Sequence, residues 1–217
     1  MLVVAWNRRI LPVSQSLDGY FQQARELEKR QDYAAAERVY QEAAASYPKQ
    51  PEILKRLAIV YQTELRFQES INTFQKVLEG APQYPEVNFY LGMSYFGLNR
   101  FEEATKAFNK ELDANPKYRR ARYYKAMALQ SLGRTSEAID QFDVLLNEDP
   151  NDANVLYNAA CTYGILGMKV DALETFRRSV QAGYSNLNWC LKDPDLKILY
   201  DEPEFKDLIA KRDAKDL

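Results

Sequence analysis

Apolar and aromatic positions in this chain return every 34 residues. One column holds small residues: Ala36, Ser70, Ala104, Ala138 and Ala172. Four residues after each stands a ring: Tyr40, Phe74, Phe108, Phe142 and Phe176. A second small column reads Ala24, Ala58, Gly92, Ala126 and Ala160, and a large column reads Leu27, Tyr61, Tyr95, Leu129 and Tyr163. Pro48, Pro82, Pro116 and Pro150 punctuate the chain at the same interval. A fixed period of this length belongs to a repeated helical hairpin. Small residues let its two helices approach closely. The rings fill the space between successive hairpins. Proline stops the second helix, because it lacks an N–H and restricts the residue before it. The columns predict five repeats, 17–50, 51–84, 85–118, 119–152 and 153–186. They are flanked by a loosely ordered arm, 1–16, and a C-terminal helical cap, 187–217.

Local signals refine this outline. Pro51-Glu52 and Pro85-Glu86 suit the first turn of a helix, with proline at the start and an acid near the positive dipole end. Asn99, Gly133 and Gly167 fall at the turn inside the hairpin, where a left-handed residue caps the first helix. Gln31 and Leu65 break that rule. Arg122 and Lys125 stand where the fourth repeat should carry bulky apolar residues. Glu111 and Ser179 replace an expected alanine, and Tyr184 replaces the last proline. The tail leaves the period. Its apolar residues are Trp189, Leu191, Leu196, Leu199, Phe205 and Leu208, and Pro194 and Pro203 open new helices. It reads as a cap over a flank that the last repeat would otherwise expose.

Leu91-Gly92-x-x-Tyr95, followed by Ala104, Phe108 and Pro116, is the cleanest copy of the pattern, and on these columns the chain resembles the tetratricopeptide repeat family. The resemblance implies an all-α fold, a right-handed α-solenoid of five helix-turn-helix repeats with C-terminal capping helices. The ending, with Asp193-Pro194-Asp195-Leu196 and Pro203-Glu204-Phe205, is similar to that of many bacterial members. The resemblance also implies that the first helix of each repeat, helix A, lines a concave groove with its second, fifth, ninth, twelfth and thirteenth residues. The fifth positions are Phe21, Lys55, Phe89, Tyr123 and Tyr157, a ladder that should face a ligand. The ninth positions include Arg25, Met93 and Met127, and Phe96 stands at a twelfth. Members that clamp a chaperone's C-terminal carboxylate carry Lys and Asn at the fifth and ninth positions of the first repeat. Here those are Phe21 and Arg25, and the second repeat has Lys55 and Ile59, so that clamp is absent.

Charge changes the picture in one place. The chain of 217 residues is 46% hydrophobic with a net charge of -2, so no global field favours nucleic acid or an anionic membrane. Yet Lys117-Tyr118-Arg119-Arg120-Ala121-Arg122-Tyr123-Tyr124-Lys125 gathers five positive charges without an acid. Arg119 and Arg120 are therefore candidates to pair with acidic groups of a ligand. The alternative is that Arg122 and Lys125 lay aliphatic stems over core sites and keep their charges in water.

Catalytic chemistry finds little footing. The chain has no histidine, which removes the commonest general base and zinc ligand. Cys161 and Cys190 form neither a disulfide framework nor a metal motif, and read as reduced thiols, with Cys161 a small buried residue. Glu102-Glu103 and Asp193/Asp195 are placed on an exposed helix and in the cap. No cofactor or metal is expected. The Leu2–Trp6 stretch is too short to span a membrane, and the start makes a poor signal peptide, favouring the cytoplasm over an exported or envelope setting. The expected function is non-enzymatic: an adaptor or assembly scaffold that holds a peptide or helix of another protein in an apolar, aromatic groove. Self-association and an envelope assembly role are the alternatives.

Overall fold

A computed structural model describes residues 15–213. They form two compact units, divided after Val87. Among the described residues every regular element is a helix, and none is long and apolar enough to cross a membrane. The first unit holds two hairpins, α1 (Leu17–Lys29) with α2 (Tyr33–Ser46) and α3 (Pro51–Thr63) with α4 (Phe67–Gly80). The second holds α5 (Val87–Gly97) with α6 (Phe101–Ala114), α7 (Arg119–Ser131) with α8 (Thr135–Glu148), and α9 (Ala153–Ile165) with α10 (Lys169–Gln181). Its tail adds α11 (Leu187–Cys190), a 3-10 helix (Pro194–Leu199) and α12 (Pro203–Asp213). The fold is all-α and built of consecutive helix-turn-helix repeats, as the periodicity predicts. The N-terminal arm, including Leu2–Trp6, lies outside the described residues apart from its last positions.

The two diagnostic columns are the core. Ala36, Ser70, Ala104, Ala138 and Ala172 are fully buried, and so are the rings of Tyr40, Phe74, Phe108, Phe142 and Phe176. Burying each ring contributes roughly 2–3 kcal/mol by area alone. The reason for the second small column is visible in the third hairpin. A Cβ added to Gly92 would lie 2.5 Å from the Phe108 ring, so the ring rests on bare helix backbone. The substituted positions find partners. Glu111 is buried and accepts the Phe89 amide at 3.3 Å, answering one of the N–H groups left open at the start of α5. Ser179 returns its hydroxyl to the Phe176 carbonyl at 2.7 Å.

The turn inside each hairpin is the same in all five repeats. Gln31, Leu65, Asn99, Gly133 and Gly167 all have positive φ, between 57° and 75°. The next amide then reaches back to the large column, as Asp32 to Leu27, Arg66 to Tyr61, Arg100 to Tyr95, Arg134 to Leu129 and Met168 to Tyr163, at 2.8–3.0 Å. Gln31 and Leu65 thus break the residue preference while keeping the geometry.

Position 85 departs from expectation. Pro51 and Glu52 do open α3, but α5 begins only at Val87, and Glu86 has φ 64°. Lys55 carries the cause. It takes the ladder position that elsewhere holds a ring, and its ammonium is buried with only 7% of the residue exposed. Glu86 provides a carboxylate 2.9 Å from Lys55 Nζ, from a left-handed backbone that cannot continue a helix out of Pro85.

The tail folds back onto helix A of the fifth repeat. Leu187, Cys190, Leu196, Leu199, Phe205 and Ile209 are buried in one cluster with Tyr157, Cys161 and Phe176. Trp189 and Leu191, expected in that core, are about half exposed, because a four-residue α11 turns only Leu187 and Cys190 inward. Tyr184 stacks on Tyr157 with the rings 4.1 Å apart. Asp193 is buried and its carboxylate is shared. Oδ2 accepts the Tyr157 hydroxyl and, at 3.1 Å, the Trp189 indole N–H. Oδ1 accepts the Asp195 amide at 3.1 Å. Gln130 Nε2 donates to Asp195 Oδ2 at 3.0 Å. A Cβ on Gly164 would come 2.1 Å from the Asp195 carbonyl oxygen, so the tail lies on α9 at a place only glycine leaves open.

Three measurements test these contacts. Leu65 is 72% exposed, so Leu65→Gly forfeits little packing. Relief of left-handed strain outweighs the entropy of the added glycine, and urea denaturation should show a gain of roughly 0.5–1 kcal/mol. Gly164→Ala should cost about 1–3 kcal/mol by overpacking against backbone. Hydrogen exchange should then quicken across 187–213 while α1–α6 keep their protection. The third concerns charge. Burial, and then the Asp193 charge, raise the Asp195 carboxyl above its ordinary value, with the Gln130 amide acting the other way. A raised acid stabilises the fold fully below the unfolded pKa of about 3.9, and that share is lost as pH rises through the folded value. Ionised Asp195 therefore works against the docked tail at neutral pH. Asp195→Asn should raise the melting temperature at pH 7, and the gain should fade toward pH 3.

Candidate functional site

The residues expected to face a ligand separate into three kinds. Three ladder members are core or paired. Phe89 is fully buried among Tyr90, Phe108, Tyr118 and Tyr124, with the Tyr118 ring 5.0 Å away. Tyr157 is buried beneath the tail, and Lys55 is held by Glu86. The expectation that these three are exposed is corrected. Neighbouring aromatics cover Phe89, the tail covers Tyr157, and a buried Lys55 ammonium is paired with a half-exposed Glu86, three separate physical reasons.

A second kind stays open to solvent in the second unit. On α5, Met93 and Phe96 are half-buried at the edge of the Phe89–Phe108 cluster. On α7, Tyr123 and Met127 are half-buried beside the Phe142–Leu145 cluster, and Arg120 is exposed. The helical spacing of three and four residues from Arg120 to Tyr123 to Met127 sets them on one face. Tyr124 joins the two helices. Its ring lies 6.1 Å from Phe96, 6.4 Å from Phe108 and 5.4 Å from Tyr123. Burial is the leading reason the Tyr123 hydroxyl is pushed above its ordinary value.

The third kind lies in the first unit. Phe21 is half-buried against Tyr40, with centroids 6.4 Å apart, and Arg25 is exposed one turn on. Both border an open surface pocket of about 420 Å³ with Asp18, Gln22, Glu26 and Lys29.

The basic segment is less free than its sequence suggests. Arg119 is bound by Glu148 at 3.1 Å, Asp152 at 2.8 Å and the Leu145 carbonyl at 3.1 Å. Arg122 donates to the Pro116 carbonyl and to Gln141. Lys125 is half-buried, and burial followed by the nearby Arg122 charge lowers its pKa. Arg122 is thus tied to protein acceptors, and Lys125 is half withdrawn from water. Arg120 differs. Its guanidinium lies 4.7 Å over the Phe89 ring, and it has no acidic partner among the described residues. An open pocket of about 290 Å³ runs beside it, lined by Arg119, Tyr123, Tyr124, Asp152 and Asn154 among others.

Sequence reasoning missed Asn158, whose amide donates to the Tyr123 hydroxyl at 2.8 Å. It follows the ladder residue Tyr157 by one, and that offset turns it toward the preceding repeat. The role of Asp193 was missed as well, since a buried acid in a cap leaves no periodic mark. Cys161 and Cys190 are both buried, with thiols pushed up by desolvation first, Cys190 to about 12. Among the described residues no group of three potential ligands is placed to hold a metal ion.

No curated protein matches the sequence. Among solved structures, a MamA from Desulfovibrio magneticus RS-1 superposes with a TM-score of 0.73 at 18% identity, covering 76% of this chain and 94% of that one. YrrB, a TPR protein with an unusual peptide-binding site, gives 0.67 at 21% identity over 94% and 93% of the two chains. The pilF protein of Pseudomonas aeruginosa gives 0.72 at 19% identity over 92% and 89%. At these identities the likeness is one of fold. The sequence itself matches the tetratricopeptide repeat over residues 21–85, 56–117 and 89–153, which together span more than half of the chain. With the repeated hairpins and their shared turn, this places the chain in the tetratricopeptide repeat family.

Proposed function

We propose that the chain is a non-enzymatic adaptor or assembly scaffold that holds a peptide or helix of another protein on the helix A face of α5 and α7. Members of the family are protein-interaction modules. The observation that carries the finer reading is the half-open strip of Met93, Phe96, Tyr123 and Met127 with Arg120 at its edge. Thioether and aromatic side chains adapt to varied apolar partners, and a strip left half in water by a well-packed core is available to them. Arg120 adds a charge that orients what binds. Tyr157 and Phe89 contribute by support, since one anchors the tail and the other carries Arg120. The likeness to YrrB, a protein with a peptide-binding site of its own, agrees with this reading without assigning the same site.

A random-peptide display selection on the immobilised chain tests it. Selected peptides should bind by fluorescence anisotropy, and the pair Met93→Ser and Met127→Ser should weaken them at least tenfold with the melting temperature nearly unchanged. Phe89→Ala should behave differently, costing roughly 3–5 kcal/mol of stability as a buried ring removed from a core. Peptides that bind the Ser variant undiminished, or a selection that yields none, would count against the strip.

A further inference from the structure

The fifth repeat shows how a helix A face in this chain holds an acid. The Tyr157 hydroxyl donates to the Asp193 carboxylate, while the other carboxylate oxygen takes the amide of Asp195, two residues on. Asp193 precedes proline and is extended, with φ -72° and ψ 110°. One oxygen thus closes the acid's own turn and the other is presented to the tyrosine. Tyr123 stands 34 residues before Tyr157, at the same position of its repeat. Its oxygen already accepts from Asn158, so its hydroxyl hydrogen remains to be donated, and no protein acceptor takes it among the described residues. One turn earlier Arg120 holds a charge against the Phe89 ring without an acid. Both groups line the pocket of about 290 Å³, room for one or two residues of a peptide.

We infer that this pocket takes the carboxylate of an acidic turn in the partner, of the Asp-Pro-Asp kind that the tail itself uses. The inference rests on the peptide-binding reading above and names the chemistry of its ligand. Charge at the pocket favours a single negative charge over a doubly charged phosphate. Glu148 and Asp152 already oppose Arg119, and the Asp152 carboxylate also caps α9 through the Asn154 and Val155 amides. What remains is one cation, Arg120, and two directed donors, the Tyr123 hydroxyl and the guanidinium. Charge-assisted bonds to a carboxylate are the strong ones such a pair can make. A proline after the acid would pre-set its extended backbone and lower the ordering cost of binding.

The probe is a synthetic peptide of Leu191–Leu199, labelled and titrated into the full chain. Its counterparts carry Asp193→Asn with Asp195→Asn, or phosphoserine in place of Asp193. The Asp peptide should bind the chain and bind about tenfold more weakly to Tyr123→Phe and to Arg120→Gln, both with unchanged melting temperature. A tenfold change is about 1.4 kcal/mol, the scale of one such bond. The Asn peptide should lose as much, and the phosphoserine peptide should not gain. Equal binding of Asp and Asn peptides, undiminished binding by Tyr123→Phe, or tighter phosphopeptide binding overturns the inference. Failure of the acidic peptide beside apolar peptides that still need Met93 and Met127 would sink the acid pocket and leave the adaptor reading standing. Failure of every peptide would remove both.

Discussion

A hairpin of this chain stands or falls on a ring pressed against helix backbone with no side chain between. Gly92 under Phe108 is the barest case, and the alanines of the same column do the same work with one methyl each. The contact sets the distance between the two helices and so the path of the turn that joins them. That turn has one geometry, with a left-handed residue and an amide reaching back five positions along the chain, and it appears even where the residue is Gln31 or Leu65. Packing fixes the turn, and the turn residue accommodates it at a cost of about 1 kcal/mol when it is neither glycine nor asparagine.

Much of this was legible in the sequence because close packing demands particular sizes at particular intervals. Ala36, Tyr40 and their equivalents could be read as core from spacing alone. The helix A face was harder, because exposure at a ladder position depends on what else covers it. Phe89 is hidden by Tyr118 and Tyr124, neither of which belongs to a diagnostic column. Tyr157 is hidden by a tail that breaks the period. Lys55 was read as a ladder residue facing a ligand, yet its partner Glu86 comes from a stretch whose proline suggested helix. In each case a contact from outside the diagnostic columns decided the outcome, and a periodic pattern carries no trace of it. Met93, Phe96, Tyr123 and Met127 are half-open because the contacts that reach them, Tyr124 beside Phe96 and Tyr123 among them, cover only part of each side chain.

Electrostatics divides in the same way. A run of five cations looks like one basic patch when read along the chain. In space Arg119 is tied to the acids Glu148 and Asp152 of later elements and Arg122 to a carbonyl and an amide, while Arg120 keeps its charge over an aromatic face. The buried Asp193 is the mirror image. An acid that looked like cap decoration is a junction for a phenol, an indole and a backbone amide.

The docking of the tail on α9 bears on how such a chain can change length over evolutionary time. Tandem arrays commonly grow by copying a hairpin, and a copy appended after the fifth would need the surface that Asp193, Leu196 and Tyr184 now occupy. Gly164, Tyr157 and Cys161 are fitted to that tail and not to a following hairpin. The last hairpin and the tail are therefore one heritable module, and a duplication that keeps this end of the fold must be inserted upstream of residue 153 rather than after the fifth hairpin.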